Sequence, residues 1–222
     1  MADFPFDVVG FDLDGTLLDT SGDLAAAVNH ALASAGRAAL SVAAIRPMIG
    51  GGARHMLALG VRAKGGCTEA ELDELQRVLL EHYEANIAVH TRPFPGAIEA
   101  VDALAARGVA LGVMTNKSER LAREVLGQLG LLGRFAAVIG GDTMAERKPA
   151  PEPILEMVRR CGGGRAAFVG DTIYDIEGAH NAGLPAVAVS FGFLAQPITA
   201  LGADAVIDHF DQLLPALARL AA

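Results

Sequence analysis

Short uncharged runs along the chain indicate a set of buried strands. They lie at residues 8–11, 109–114, 137–139, 166–169, 186–189 and 205–207. From residue 97 onward, helix-start signals such as Ser118 and Pro151 and stretches typical of helices separate these runs. Because strands that alternate with helices form a parallel sheet covered on both faces, the pattern predicts an α/β fold with a doubly wound, Rossmann-like parallel sheet.

Residues 19–92 follow a different pattern, in which apolar residues recur at intervals of three and four. One apolar face consists of Leu24, Ala27, Val28, Ala31, Leu32 and Ala35, and a second consists of Leu72, Leu75, Leu79 and Tyr83. Thr20 with Asp23, and Thr68 with Glu71, have the spacing of a capping box at a helix start. Since no strand-like alternation interrupts the segment, we expect an all-helical domain inserted into the α/β core.

Composition narrows the classes to which the protein can belong. Of its 222 residues 52% are hydrophobic, which is typical of a folded chain, and a net charge of -8 argues against a nucleic-acid surface. Glycine and proline divide the uncharged segment 181–203 into pieces too short to span a bilayer. With no signal-peptide pattern, we expect a cytoplasmic protein without nucleic-acid or membrane partners. Its oligomeric state stays open.

The run at residues 8–11 ends in two carboxylates one residue apart, Asp12 and Asp14, with Gly15 after them. Such a sequence after a strand is often only a turn, in which Asp and Gly satisfy backbone preferences. Two anions so close together also repel each other unless a cation or hydrogen bonds compensate them. Ligands bind beyond the carboxyl ends of parallel strands. Taken alone, the stretch is therefore compatible with a turn or with a cation site.

Three further polar clusters lie beside predicted strands or helix starts. They occupy residues 115–117, 147–149 and 170–175. In a parallel sheet they face the same edge as the first two aspartates, which a turn alone does not explain. Lys117 and Lys148, two of only three lysines in the chain, can each hold a phosphate or bridge carboxylates. The simpler alternatives are a solvated loop for Lys148 and helix capping by Asp171 and Asp175.

In sequence order, the four clusters resemble the four motifs of the haloacid dehalogenase superfamily of phosphohydrolases. The matching residues are Asp12 to Thr16, Thr115 with Asn116, Lys148 with Pro149, and Gly170 with Asp171 and Asp175. Each motif alone is weak, but four of them in order at strand ends are specific. The resemblance extends over nearly the whole chain and implies a phosphatase.

The resemblance also implies a role for each polar residue. Asp12 is the nucleophile, which attacks phosphorus and forms an aspartyl-phosphate that water hydrolyses. Asp14 is the general acid for the leaving alcohol and then the base for water. Lys148 completes the catalytic set. Thr115, Asn116 and Lys148 bind the phosphate.

Mg²⁺ is the implied cofactor, since this ion prefers oxygen ligands and leaves room for a substrate phosphate. Asp12 and Asp171 would supply side-chain oxygens and Asp14 its backbone carbonyl. Asp175 would support the site from behind these ligands.

The helical insert is similar to the first cap type of the superfamily, which sets substrate specificity. Residues 19–92 would then be the cap, with Gly51 and Arg54 as candidate contacts to the substrate. Residues 1–18 and 93–222 would form the catalytic core.

Shorter stretches resemble one family within the superfamily, the phosphoglycolate phosphatases. They lie at residues 49–52, 94–96, 140–143 together with 148–151, and 191–193. The expected reaction is therefore hydrolysis of 2-phosphoglycolate to glycolate and phosphate, and the expected partner is a small phosphorylated metabolite. Other phosphomonoesters, pyrophosphate or a sugar-phosphate mutase reaction are alternatives. A non-enzymatic receiver-like signalling domain is the alternative from another class.

Overall fold

The computed structural model describes residues 4–220 and contains the strands that the apolar runs predict. The strands are β1 (Val8–Phe11), β2 (Leu18–Asp19), β3 (Arg92–Pro93), β4 (Ala110–Met114), β5 (Ala137–Ile139), β6 (Ala166–Gly170), β7 (Ala186–Val189) and β8 (Ala205–Ile207). Six of them pair in parallel in the order β5-β4-β1-β6-β7-β8. Strand β1 is therefore interior, and its carboxyl end lies between those of β4 and β6.

Helices connect the strands as the periodicity predicts. They are α1 (Ser21–Ser34), α2 (Val42–Ile45), α3 (Ala53–Arg62), α4 (Glu69–Ala85), α5 (Ala97–Ala105), α6 (Glu119–Gln128), α7 (Glu152–Arg160), α8 (Ile173–Asn181) and α9 (Leu213–Leu220). Helices α2 and α9 have no predicted counterpart, and in α2 four residues are too few to show a helical period. Across residues 4–220, no helix combines the length and the apolar character needed to cross a membrane.

The six-stranded sheet buries both of its faces, because successive side chains of a strand point to opposite sides. Val9 and Phe11 of β1 belong to a buried cluster that includes residues of α5, α6 and α9. Val8 of β1 and Phe168 of β6 belong to a second cluster with residues of α7 and α8. Helices therefore cover the sheet on both sides, which confirms the doubly wound arrangement.

Helices α1 to α4 all lie between β2 and β3, which pair antiparallel over two residues each. This pair brings the two ends of the helical segment together, and it is too short to give a strand signal in the sequence. The predicted apolar faces of α1 and α4 are largely buried and pack against each other. The Thr68 hydroxyl accepts the Glu71 N–H at 3.3 Å, as expected for the start of α4. An inserted all-helical segment is thus confirmed.

The capping box predicted for Thr20 and Asp23 is wrong. The Thr20 hydroxyl is buried and has no hydrogen-bond partner in the described part of the chain. The buried carboxylate of Asp23 instead accepts the N–H groups of His90 and Thr91, both at 2.9 Å, and the Thr91 hydroxyl at 2.7 Å. It therefore joins the start of α1 to the residues just before β3. Capping spacing is a local signal and does not report such a distant partner.

We expect Asp23→Ala to destabilise the fold by about 2–3 kcal/mol, because it leaves the two buried donors of Thr91 and the partly buried N–H of His90 without an acceptor. The loss is measured as the free energy of unfolding in urea. Asp73→Ala, which removes an exposed carboxylate of α4, is the matched control, with an expected effect under about 1 kcal/mol. Equal losses in the two variants would contradict the role of Asp23 in joining the ends of the insert.

Candidate active site

The loop after β1 brings the first acidic cluster to the carboxyl edge of the sheet. The N–H of Asp12 donates to the carbonyl of Val169 on β6 at 2.9 Å, so the sheet itself fixes this residue. Gly15 has a φ of 91°, and a Cβ there would overlap the Asp171 carboxylate. Glycine therefore permits both the turn and the close approach of the loop to Asp171. The stretch after β1 is therefore both a turn and a part of the site.

Lys148 lies at the centre of the site and is only 2% exposed, so the solvated-loop alternative is wrong. Its Nζ donates to Asp12 Oδ1 at 2.7 Å, to the Met114 carbonyl at 2.7 Å and to Asp175 Oδ1 at 2.6 Å. An ammonium has three N–H donors, and all three are engaged. A phosphate oxygen would have to share or replace one of these bonds. Phosphate binding by Lys148 therefore stays a prediction.

Asp12, Asp171 and Asp175 form a buried cluster in which one side-chain oxygen of each lies within 4.8 Å of the others. Lys148 is paired with two of the three carboxylates, Asp12 and Asp175. Burial raises the pKa of Asp12 to about 7, with Lys148 opposing and Asp175 adding to the shift. Burial and the neighbouring Asp175 and Asp12 raise the pKa of Asp171 well above its usual range. The cluster therefore favours a bound cation or protons.

Asp175 has two structural partners besides its place in this cluster. Its Oδ2 accepts the N–H and the hydroxyl of Thr172 at 2.8 and 2.6 Å, which forms a capping box at the start of α8. Its Oδ1 accepts from Lys148. Helix capping, one of the alternatives considered from sequence, is thus present together with the support of Lys148. Both oxygens are engaged, which agrees with a supporting position behind the metal ligands.

Asp171 is oriented by hydrogen bonds to both of its oxygens. Thr16 donates its hydroxyl to Oδ1 at 2.9 Å, and the Phe193 N–H donates to Oδ2 at 2.7 Å. Together with Asp12 it offers hard oxygen ligands in an acidic, buried setting, which is the donor chemistry that Mg²⁺ requires. The residues present therefore fit this ion. Ligation by the backbone carbonyl of Asp14 stays a prediction.

Asp14 has a partner, Lys117, for which the sequence left two roles open, phosphate binding or the bridging of carboxylates. The Lys117 ammonium donates to both oxygens of Asp14 at 2.7 Å and lies 4.8 Å from the ring centre of Tyr83 on α4. Burial disfavours the charged ammonium, but Asp14 outweighs this effect and raises the pKa of Lys117. The sequence feature that pointed to Lys117 is the rarity of lysine in the chain. Spacing could not reveal which carboxylate Lys117 would meet.

Thr115 and Asn116 lie directly after β4, beside the first acidic cluster, and both line the central cavity. Thr115 Oγ1 accepts the Lys117 N–H at 3.3 Å. The Asn116 side-chain amide donates to the carbonyls of Gly50 at 3.0 Å and Lys148 at 3.2 Å, and so ties the loop before α3 to the loop before α7. The side-chain amide of Asn116 thus already donates hydrogen bonds to main-chain carbonyls of the protein. Phosphate contacts by either residue stay predictions.

A cavity of about 340 Å³ lies between α3, α4 and the carboxyl ends of β1 and β4. Gly50 and Gly52 line it, whereas Gly51 lies beside His55 and is not among the described lining residues. Arg54 does line the cavity, but its guanidinium donates to acidic and amide side chains of α4. Contacts of Gly51 and Arg54 with the substrate stay predictions.

Comparison with known proteins agrees with this architecture. The family model described as haloacid dehalogenase-like hydrolase matches residues 9–189, which include the four polar clusters. The chain belongs to this family of hydrolases. The receiver-like alternative does not fit that membership.

Individual relatives match over nearly the full length. The chain is 44% identical over 211 residues to the phosphoglycolate phosphatase of Agrobacterium fabrum, covering 93% of this chain and 90% of the relative. It is 41% identical over 214 residues to that of Mesorhizobium japonicum, covering 95% and 94%. A crystal structure described as a predicted phosphoglycolate phosphatase from Haemophilus somnus superposes with a TM-score of 0.88 at 32% identity, covering 95% of this chain and 97% of that one.

We expect Mg²⁺ to stabilise the protein through the acidic cluster. At a free concentration of a hundred dissociation constants, the melting temperature should rise by about 5–10 °C. Asp171→Asn should lose most of this rise, whereas Asp102→Asn, on the exposed surface of α5, should keep it. Thermal melts with Mg²⁺ and with EDTA measure the effect. An unchanged rise in Asp171→Asn would contradict metal binding at the cluster.

Protons should compete with the metal. Because the pKa of Asp12 in the metal-free protein is about 7, Asp12 is protonated below that pH and must lose its proton on metal binding. The loss of the Asp12 proton alone should therefore raise the apparent Mg²⁺ affinity about tenfold between pH 6 and pH 8. Calorimetric titration in two buffers of different ionisation enthalpy measures affinity and proton release together. A pH-independent affinity without proton release would rule out this competition.

Proposed function

We propose that the protein is a Mg²⁺-dependent phosphatase that hydrolyses 2-phosphoglycolate to glycolate and phosphate. The observation that carries the proposal is the buried cluster of Asp12, Asp171 and Asp175 around Lys148, at the edge of a cavity sized for a small ligand. The names of the relatives at 40–44% identity support the choice of substrate.

Asp12 is the proposed nucleophile. Lys148 holds its Oδ1, while its Oδ2 receives no hydrogen bond from residues 4–220 and keeps its lone pairs for attack on phosphorus. The attack forms an aspartyl-phosphate on Asp12 and releases the alcohol, and water then hydrolyses this intermediate. Bound Mg²⁺ would supply positive charge that offsets the repulsion between the carboxylate and the phosphate.

Asp14 is the proposed acid and base. The glycolate alkoxide is a basic leaving group and needs a proton as its bond to phosphorus breaks. Asp14 lines the same cavity as Asp12 and can deliver that proton, and it then accepts one from the attacking water. Thr115, the Asn116 backbone and Lys148 are the proposed phosphate contacts.

Residues 19–92 are the proposed cap, with residues 1–18 and 93–222 as the catalytic core. Support comes from the loop before α3, whose Gly50 and Gly52 line the cavity above the acidic cluster. The bond from Asn116 to Gly50 joins this loop to the core. A cap so placed limits the size of the substrate and excludes water from the reaction. A small phosphorylated metabolite as substrate agrees with a cytoplasmic location.

A phosphate-release panel tests the proposal. With Mg²⁺ present, 2-phosphoglycolate should have the highest kcat/KM among small phosphomonoesters and pyrophosphate, and EDTA should abolish release. Asp12→Asn should lower kcat at least about 1,000-fold, because the amide cannot form the covalent intermediate. Asp102→Asn is the surface control. Normal turnover by Asp12→Asn would eliminate this nucleophile, whereas a better substrate in the panel would overturn only the choice of phosphoglycolate.

A further inference from the structure

Lys117 is a buried cation in the cavity, and the reaction outlined above leaves it without a task. It follows β4 on the core, yet its ammonium lies next to Tyr83 of the helical insert. Two of its N–H donors are directed to Asp14. An ammonium has a third donor, which the two bonds to Asp14 leave over, and the neighbour that interacts with this side of the ammonium is Tyr83.

We infer that Lys117 and Tyr83 form the subsite that binds the carboxylate of the substrate. The inference rests on the proposed function, since it assumes a phosphate ester that carries a carboxylate. It makes Lys117 a specificity-determining residue.

The short distance between the leaving oxygen and the carboxylate of the substrate supports this assignment. In 2-phosphoglycolate a single methylene separates the leaving oxygen from the carboxylate carbon. Asp14 must approach the leaving oxygen to protonate it, and Lys117 Nζ lies 2.7 Å from both oxygens of Asp14. A carboxylate one methylene away therefore falls close to this ammonium. The third donor of Lys117 can bind it without loss of the bonds to Asp14.

The charge of the site also requires a cation at this point. A substrate carboxylate entering beside Asp12 and Asp14 meets two anions, and only a nearby positive charge makes its binding favourable. The other cations that line the cavity are Arg54, Arg120 and Arg147. Arg54 and Arg120 are paired with acidic residues of α4. Arg147 is exposed at the rim, beside Gly52. Among these cations, Lys117 is the one that is paired with Asp14, the proposed acid.

Tyr83 supplies the second, independent observation. It is 2% exposed and lines the cavity, and its hydroxyl has no hydrogen-bond partner within residues 4–220. A buried hydroxyl without a partner is costly, and a substrate carboxylate would accept its hydrogen. Leu24, Met56 and Leu79 line the same cavity. This apolar lining excludes water and strengthens the attraction between Lys117 and a carboxylate.

The experiment compares two substrates that differ only at the proposed subsite. Ethyl phosphate carries a methyl group where 2-phosphoglycolate carries its carboxylate, and both need a proton on the leaving oxygen. The ratio of their kcat/KM values therefore reports carboxylate recognition, while a disturbed Asp14 affects both substrates. Lys117→Met should lower this ratio about 10- to 100-fold, the effect of losing a charge-assisted hydrogen bond.

Matched variants keep the test decisive. Lys64→Met makes the same change in the insert outside the cavity and should leave the ratio unchanged. Lys117→Gln keeps an N–H donor for Asp14 but removes the charge, and it replaces Lys117→Met if that variant does not fold. Tyr83→Phe keeps the ring and should lower the ratio about threefold or more.

The outcomes separate this inference from the proposed function. If the wild-type protein does not prefer 2-phosphoglycolate over ethyl phosphate, the proposed substrate and the subsite both fail. If it does, and Lys117→Met and Lys117→Gln keep that preference, only the subsite is wrong. If Arg147→Met loses the preference for 2-phosphoglycolate while the Lys117 variants keep it, the substrate carboxylate binds at the rim of the cavity instead.

Discussion

The site depends on one buried ammonium among three buried carboxylates. Lys148 binds Asp12 from the end of β1 and Asp175 from the start of α8, and it also binds a main-chain carbonyl of β4. Buried charges are stable only when they are paired and hydrogen-bonded, so these elements must keep their relative positions for the ammonium to stay satisfied. The negative charge left over after this pairing makes the cluster suited to a divalent cation.

Strand order explains why four clusters so distant in sequence converge. Strand β1 is paired with β4 on one side and β6 on the other. The residues that follow these three strands therefore emerge side by side at one edge of the sheet. The Lys148 loop precedes α7, which packs against β1, β4 and β5. The position of the site thus follows from a parallel sheet in which Asp12, the proposed nucleophile, comes directly after an interior strand.

Sequence reasoning was most successful where the signal was local. The apolar runs located the strands, and polar residues at strand ends located the acidic cluster and Lys148. It failed for Asp23, whose partners lie at the far end of the insert, and it did not identify Asp14 as the partner of Lys117. Both depend on side chains meeting across the tertiary structure, which neither periodicity nor capping spacing reports. The cap contacts Gly51 and Arg54 stay predictions, and the sequence did not show that Arg54 is paired with acidic residues of α4.

The two aspartates of the first cluster are separated by one residue but held by different lysines. Lys148 holds Asp12 and is itself surrounded by core residues, with Phe168 of β6 beside it. Lys117 holds Asp14 and lies against Tyr83 of the insert. Under the proposed mechanism, rearrangement of the insert would therefore act first on Asp14, the proposed acid, and leave Asp12, the proposed nucleophile, in place. Such a division would let the core keep one phosphoryl chemistry while the proposed cap selects the group attached to the phosphate.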